Sequence, residues 1–129
     1  MSKKSVKIVI PLNPVTKKNS QRIVMAGKYP KLLPSKAFGK YQDMAGRYIH
    51  CKGLSINKPC EVVCKFYMQT HRRVDLANLL NAIDDVLVHY GVLYDDNSNI
   101  IVSHDGSRVL YDKDNPRTEV MITWESEDI

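Results

Sequence analysis

The strongest constraint on the fold is a segment of helical periodicity in the second half of the chain. Asp75 stands where a helix N-cap is expected, and Gly91 stands where a helix commonly stops. Between them, apolar residues recur at helical spacing at Leu76, Leu79, Leu80, Ile83, Val86, Leu87 and Tyr90. The segment therefore predicts an amphipathic helix with one face in a hydrophobic core.

Runs of β-forming residues separated by turn residues predict strands on both sides of this helix. The predicted strands are Val6–Leu12, a hairpin of Arg22–Ala26 and Tyr29–Leu33, then Cys60–Thr70, Ile100–Val102, Arg108–Tyr111 and Thr118–Trp124. A second helix is predicted from Lys36 to Ile49 or His50, with Ser35 as its N-cap. The order predicts an α+β fold: a single compact domain over residues 1–129, with a mixed sheet, two main helices and frayed tails at 1–4 and 125–129.

Composition limits the kinds of binding partner and the cellular compartment that we expect for the protein. Nineteen Lys and Arg against 14 Asp and Glu give a formal charge of +5, which favours a polyanionic partner. The three cysteines are odd in number and lack the paired spacing of a zinc site, so neither a disulfide framework nor a structural metal is predicted. Because the apolar stretch at Ile8–Leu12 is too short for a signal peptide or a membrane span, we expect a cytoplasmic protein without membrane association.

Acidic and amide side chains between Asp75 and Asp96 are spaced so that several of them can meet. Asp75 lies at the edge of a helical face that carries Asn78, Asn81 and Asp85, whereas Asp84 points nearly the opposite way. The turn after Gly91 would let Asp95 or Asp96 fold back beside that face. Hard Mg²⁺ prefers such oxygen ligands. The same residues could instead have only structural roles, as a helix cap, a solvated helix face and a turn.

Basic residues flank these acids at two places in the sequence. Lys17 and Lys18 lie in a polar loop near the amino terminus, and Arg72 and Arg73 immediately precede the predicted helix. All four are candidate contacts for DNA phosphates. His71, beside the two arginines, is predicted to be a surface residue, and His104 shows no metal-ligand spacing.

Two runs of sequence carry a resemblance to a known family. They are Arg72-Arg73-Val74-Asp75-Leu76-Ala77-Asn78-Leu79 and, one helix later, Gly91-Val92-Leu93-Tyr94-Asp95-Asp96. Together with the strand, prolines and polar loop of Ile10–Asn19, they resemble the RusA family of Holliday-junction resolvases. The resemblance implies a RusA-like fold and a homodimeric, Mg²⁺-dependent endonuclease, with Mn²⁺ as an alternative ion. Its partner would be branched DNA, a four-way junction nicked symmetrically, in a bacterial cytoplasm and encoded by host or phage.

By this resemblance Asp75 and Asp96 are catalytic, metal-binding residues. The chain departs from the family where a second motif aspartate and a helical lysine are expected, since it has Ala77 and Asn81 there. Asp85 is the predicted substitute ligand and catalytic residue, and Asn78 is a further, neutral metal donor.

The two departures leave an alternative open. A protein that kept the fold and its basic surface could bind branched DNA with cleavage weakened or lost through Ala77 and Asn81. A third alternative is a basic domain that binds RNA or a protein. Only the net positive charge supports it, because the sequence has no evident aromatic motif of an RNA-binding sheet.

Overall fold

The computed structural model describes residues 2–17, 22–33 and 36–126. The helices and strands, in chain order, are β1 (Ser2–Ile10), β2 (Arg22–Ala26), β3 (Tyr29–Leu33), α1 (Lys36–Ala45), β4 (Cys60–Met68), α2 (Leu76–His89), β5 (Ile101–Ser103), β6 (Arg108–Tyr111) and β7 (Arg117–Ser126). A short 3₁₀ turn, Gly46–Tyr48, follows α1. The architecture is α+β in one compact domain, as predicted.

Over the described residues, the main sheet has five strands in the order β1-β7-β4, with β5 and β6 both paired to β4. The β1–β7 and β7–β4 pairs are antiparallel, whereas β5 and β6 run parallel to β4. Alternate residues of β4, from Cys60 to Phe66, are buried, while Glu61 and Lys65 are exposed. Since α1 and α2 contribute to the same core cluster, both helices cover one face of the sheet.

The predicted hairpin is confirmed, with both strands at the predicted bounds. Arg22–Ala26 and Tyr29–Leu33 pair antiparallel as a separate two-stranded sheet. Gly27 occupies its turn with φ 66°, a conformation that glycine adopts without steric cost. The predicted cap of the following helix, Ser35, lies outside the described residues.

Helix α1 ends at Ala45, earlier than the predicted Ile49 or His50. The hydroxyl of Tyr90 donates to the carbonyl oxygen of Gln42 at 2.6 Å, and so takes an acceptor that a continued α-helix would use. A Cβ atom on Gly46 would lie 2.5 Å from that hydroxyl oxygen. Packing of the tyrosine against the last turn therefore replaces the helix by a 3₁₀ turn.

The two ends of the chain extend the sheet beyond the predicted strands. Ser2 pairs with Ser126, Lys3 with Glu125 and Lys4 with Trp124. The expectation of frayed tails is therefore wrong for residues 2–4 and 125–126, because each end supplies the backbone hydrogen-bonding partners of the other. Residues 1 and 127–129 lie outside the residues that the structure describes.

Strands β5 and β6 lie along the same edge of β4 with residues 104–107 between them. In that interval the Nδ1 atom of His104 lies 2.8 Å from the carbonyl oxygen of Val62. The backbone N–H of Cys64 donates to the Oγ atom of Ser107 at 3.0 Å. Two side chains thus satisfy β4 backbone groups that none of the described strands reaches there.

The same histidine connects the sheet edge to α2. Its Nε2 atom lies 2.9 Å from the Oδ2 atom of Asp84, a residue that is only 8% exposed. Asp84 thus lies on the core side of α2, and over the described residues its Oδ1 atom has no hydrogen-bond partner. This contact fixes α2 against the sheet next to the residues of the predicted site.

In the described part of the chain, no helix combines the length and the apolar character that crossing a membrane requires.

Candidate active site

Asp75 is the N-cap of α2, as predicted. Its backbone is extended, with φ −90° and ψ 120°, and its Oδ1 atom accepts a hydrogen bond from the Ala77 N–H at 3.1 Å. The Asp75 side chain remains exposed, and the positive end of the helix dipole favours a carboxylate at this position. The first carboxylate of the predicted site is therefore anchored through one oxygen at the protein surface.

Ala77 and Asn81 are both exposed on α2. Ala77 lies in the first turn and offers no side-chain donor beside Asp75. The departure from the family pattern therefore falls at the surface, where a longer side chain could extend into solvent without displacing the core.

Asp85 is held by Lys17 in an ion pair between the Nζ and Oδ2 atoms. The Lys17 and Asp85 side chains are 32% and 37% exposed, and the ammonium group also lies 6.0 Å from the centroid of the Phe38 ring. A predicted phosphate-binding residue and a predicted metal ligand thus neutralise each other in this structure. Sequence reasoning assigned each residue a separate role and did not foresee the pair.

The loop that carries Lys17 is fixed against the connection between β4 and α2. The Oδ1 atom of Asn13 accepts a hydrogen bond from the Gln69 N–H at 3.0 Å, and Pro14 and Thr16 are buried. These contacts place the start of the polar loop beside the carboxyl end of β4. The other predicted basic residue of the loop, Lys18, lies outside the described residues.

Asp96 lies in a turn that is organised by side chains. The Oδ1 atom of Asp95 accepts from the Asp96 N–H at 2.8 Å, and its Oδ2 atom accepts from the Nδ2 atom of Asn97 at 3.1 Å. Partial desolvation, followed by a hydrogen bond with Asp95 and the negative charges of Asp85 and Asp95, raises the pKa of Asp96. The turn after α2 therefore brings Asp96 within electrostatic reach of Asp85.

The length of α2 sets a limit on which acids can share one ion. Asp75 and Asp85 are ten positions apart, so about 15 Å separates them along the helix axis at about 1.5 Å per residue. Since Mg²⁺ binds its ligands at about 2 Å, one ion cannot contact both carboxylates. Helix geometry therefore excludes one ion shared by Asp75 and Asp85, and Asp85 as a metal ligand stays a prediction for a separate ion.

Among the residues that the structure describes, no group of three or more His, Cys, Asp or Glu side chains is placed to hold a metal ion. Mg²⁺ commonly uses only one or two carboxylates and completes its octahedron with water and substrate phosphates. The exposed carboxylates of Asp75 and Asp96 are donors of that kind. Asn78, half-buried one turn along α2 from Asp75, adds a neutral oxygen to the available donor set.

Arg72 and Arg73 are exposed in the connection between β4 and α2. Beside them, the ring of His71 stacks on that of Tyr111, with centroids 3.6 Å apart and planes at 27°. His71 is a surface residue, as predicted, but its stacking partner is 40 positions away. No periodic signal in the sequence could have revealed this pair.

Comparison with known proteins identifies the family of this chain. The model of a family described as endodeoxyribonuclease RusA matches residues 11–123 of the 129-residue chain. No curated protein gives a match. The matched range contains β4, α2 and the turn of Asp96, and it covers most of the chain. The protein therefore belongs to the RusA family of endodeoxyribonucleases.

Proposed function

We propose that the protein is a Mg²⁺-dependent endonuclease that resolves four-way DNA junctions by paired, symmetric hydrolysis of phosphodiesters. Membership of the RusA family implies nuclease activity on Holliday-junction DNA. The observation that carries the proposal is the matched range itself, because it contains Asp75 and Asp96, the two acids that correspond by resemblance to the acidic motif of the family. Symmetric cutting of two strands requires two sites, so we propose a homodimer as the active form.

Asp75 and Asp96 would each be a metal ligand, of one ion or of two, with Asn78 as a further donor beside Asp75. Bound Mg²⁺ would activate a water molecule and neutralise charge on the phosphodiester. The N-cap hydrogen bond to Ala77 restrains the Asp75 carboxylate before DNA binds, which lowers the entropic cost of placing it. No covalent intermediate with the protein is required, since water serves as the nucleophile.

The basic residues would place the DNA backbone. Arg72 and Arg73 are exposed next to Asp75, and an arginine guanidinium can bind a phosphate through two parallel hydrogen bonds. Lys17 would exchange its contact with Asp85 for a phosphate of the incoming strand. In this proposal Asp85 holds and orients Lys17 at the edge of the site until DNA binds. This role replaces the metal-binding role that the sequence predicts for Asp85.

A junction-binding protein with weakened or lost cleavage is the second candidate function. Two observations favour it: Ala77 offers no ligand atom, and the described side chains form no three-acid metal group. This candidate keeps the same DNA surface and differs from the first only in chemistry.

A cleavage assay with matched DNA substrates tests the two candidates. The protein is incubated with a synthetic four-way junction, a linear duplex and a single strand, each with Mg²⁺ or with a chelator. Paired nicks that are confined to the junction and require Mg²⁺ support the nuclease. Tight junction binding with no nicks under any of these conditions supports the second candidate.

Asp75→Asn is the decisive variant, and Asp114→Asn is its control. Asp114 is an exposed acid between β6 and β7, outside the proposed site. Asp75→Asn should lose cleavage by more than about 100-fold, because loss of even an outer-shell partner typically costs 10–100-fold in a metal site. It should still bind the junction, and full activity in this variant would overturn the assignment.

A further inference from the structure

The stack of His71 and Tyr111 occupies one particular place on the sheet. Tyr111 is the last residue of β6 and lies in register with Met68, the last residue of β4. His71 follows three positions later in the connection that leads to Asp75. The ring pair therefore lies where β4 ends and the chain turns towards the proposed catalytic carboxylate.

Both rings of this pair remain accessible. His71 is exposed and Tyr111 is 44% exposed, so the stack is not enclosed by the core. A cleft of about 210 Å³ opens beside it, and Met68, Thr70 and Arg72 contribute to its wall. The described lining contains no carboxylate, so the charge of Arg72 leaves the cleft suited to an anionic ligand with a flat, apolar surface.

A second aromatic and arginine pair in the protein provides a useful contrast. The Arg117 guanidinium lies 3.7 Å from the centroid of the Tyr67 ring, but it also binds the carboxylates of Asp112 and Glu119. Those two acids satisfy its charge within the protein. None of the described residues that line the cleft gives Arg72 such a carboxylate, which distinguishes a surface available for DNA from a structural ion pair.

We propose that His71, Tyr111 and Arg72 form a stacking subsite for one unpaired DNA base at the branch point of the substrate. A base without a pairing partner can present a face to an aromatic ring, and such stacking is tolerant of sequence. Arg72 contributes its charge to the adjacent phosphate. This subsite rests on the proposed function, because it would hold the strand next to Asp75, where hydrolysis is proposed.

The test uses a four-way junction with an unpaired 2-aminopurine at the crossover, titrated with protein in the presence of a chelator. Cleavage is thereby excluded from the readout. Stacking on the wild-type rings should quench the fluorescence of the base. Tyr111→Ala should remove the quenching and weaken affinity for this DNA by between about 5-fold and about 150-fold, the range expected for one stacked base.

Two variants control this measurement. Tyr111→Phe keeps the ring and should quench as the wild type does. Tyr48→Ala removes a tyrosine of similar exposure, 40%, from the turn after α1, and it should leave quenching unchanged. Circular dichroism and thermal unfolding of each variant show that loss of the signal does not reflect loss of the fold.

The outcomes separate the subsite from the proposed function. If the wild type binds the junction and Tyr111→Ala quenches equally, the stacking subsite is wrong while junction binding stands. If the wild type fails to bind the junction but quenches 2-aminopurine in a short single strand in a Tyr111-dependent way, the subsite stands and junction resolution fails. If Tyr111→Phe also loses the signal, stacking is not the interaction and the inference is overturned.

Discussion

The Nε2 atom of His104 lies 2.9 Å from the Oδ2 atom of Asp84, while its Nδ1 atom lies 2.8 Å from the carbonyl oxygen of Val62. A carbonyl oxygen and a carboxylate are both acceptors, so both ring nitrogens serve as donors only in the protonated imidazolium. The hydrogen bond to Asp84 is the main cause that raises the pKa of His104 above its ordinary value of 6.5, against the opposing effect of burial.

This contact predicts that the stability contributed by His104 depends on pH. Because the pKa is raised in the folded state, the folded protein binds the proton more tightly than the unfolded chain does. The contribution is therefore complete below the unfolded value of about 6.5 and declines as pH rises through the folded pKa. Urea unfolding of wild type and His104→Gln across roughly pH 5.5 to 9 should show a difference in free energy that shrinks as pH rises.

His89→Gln is the matched control for loss of an imidazole, since His89 is exposed on the last turn of α2. Its substitution reports the general effect of removing a histidine. A difference between wild type and His104→Gln that is constant across the pH series would contradict the imidazolium assignment.

The buried pair also predicts non-additive effects of substitution. His104→Leu leaves the Asp84 carboxylate buried without its cationic partner and should cost about 3–5 kcal/mol in the free energy of unfolding. Replacing both residues by leucine removes the uncompensated charge and should restore part of that loss. Denaturant unfolding of the two single variants and the double variant measures the coupling; a double variant as unstable as the sum of the singles would show that the pair does not act as a unit.

Local patterns predicted the elements that build the site. The Asp75 cap depends on residues within one helical turn, and the β2–β3 hairpin depends on the turn at Gly27. Both features are encoded by neighbouring residues, so periodicity and turn chemistry suffice to predict them. The extent of β1 and β7 was missed because it depends on pairing between opposite ends of the chain.

The sequence also did not reveal which side chains far apart along the chain contact each other. Lys17 and Asp85 are 68 positions apart, and Asp84 and His104 are 20 apart. A helical wheel placed Asp84 away from the polar face but could not name its partner. Such pairs depend on how α2 lies on the sheet and on the path of the loop before β2.

The ion pair of Lys17 with Asp85 predicts opposite effects of two substitutions on DNA binding. Lys17→Ala should weaken junction binding and reduce the slope of log affinity against log salt by about 1, because one phosphate contact is lost. Asp85→Asn frees Lys17 and removes a negative charge near the DNA, so it should tighten binding with no loss of that slope. Fluorescence anisotropy at several salt concentrations measures both quantities.

Cleavage by Asp85→Asn distinguishes the two roles considered for this acid. If Asp85 only holds Lys17, the variant should cut the junction at a rate within about 10-fold of wild type. That loss is smaller than the loss expected when a metal-site group is removed. A loss as complete as that of Asp75→Asn would instead make Asp85 a ligand, with Asp96, of an ion separate from that of Asp75.

Ala77→Asp should increase cleavage, because it supplies a carboxylate beside Asp75 where the RusA resemblance expects the second motif acid. The position is exposed, and an acid in the first turn of α2 is also favoured by the helix dipole, by about 0.3–1 kcal/mol. The gain should therefore come without loss of stability. Single-turnover cleavage of a four-way junction at several Mg²⁺ concentrations measures the gain in cleavage, with a lower Mg²⁺ requirement as the specific signature of an added ligand.

Asn81→Lys, the second departure, is the matched control, since it adds charge to the same helix without adding an oxygen donor. Improved cleavage in Asn81→Lys with none in Ala77→Asp would show that the chain lacks a positive charge rather than a metal ligand.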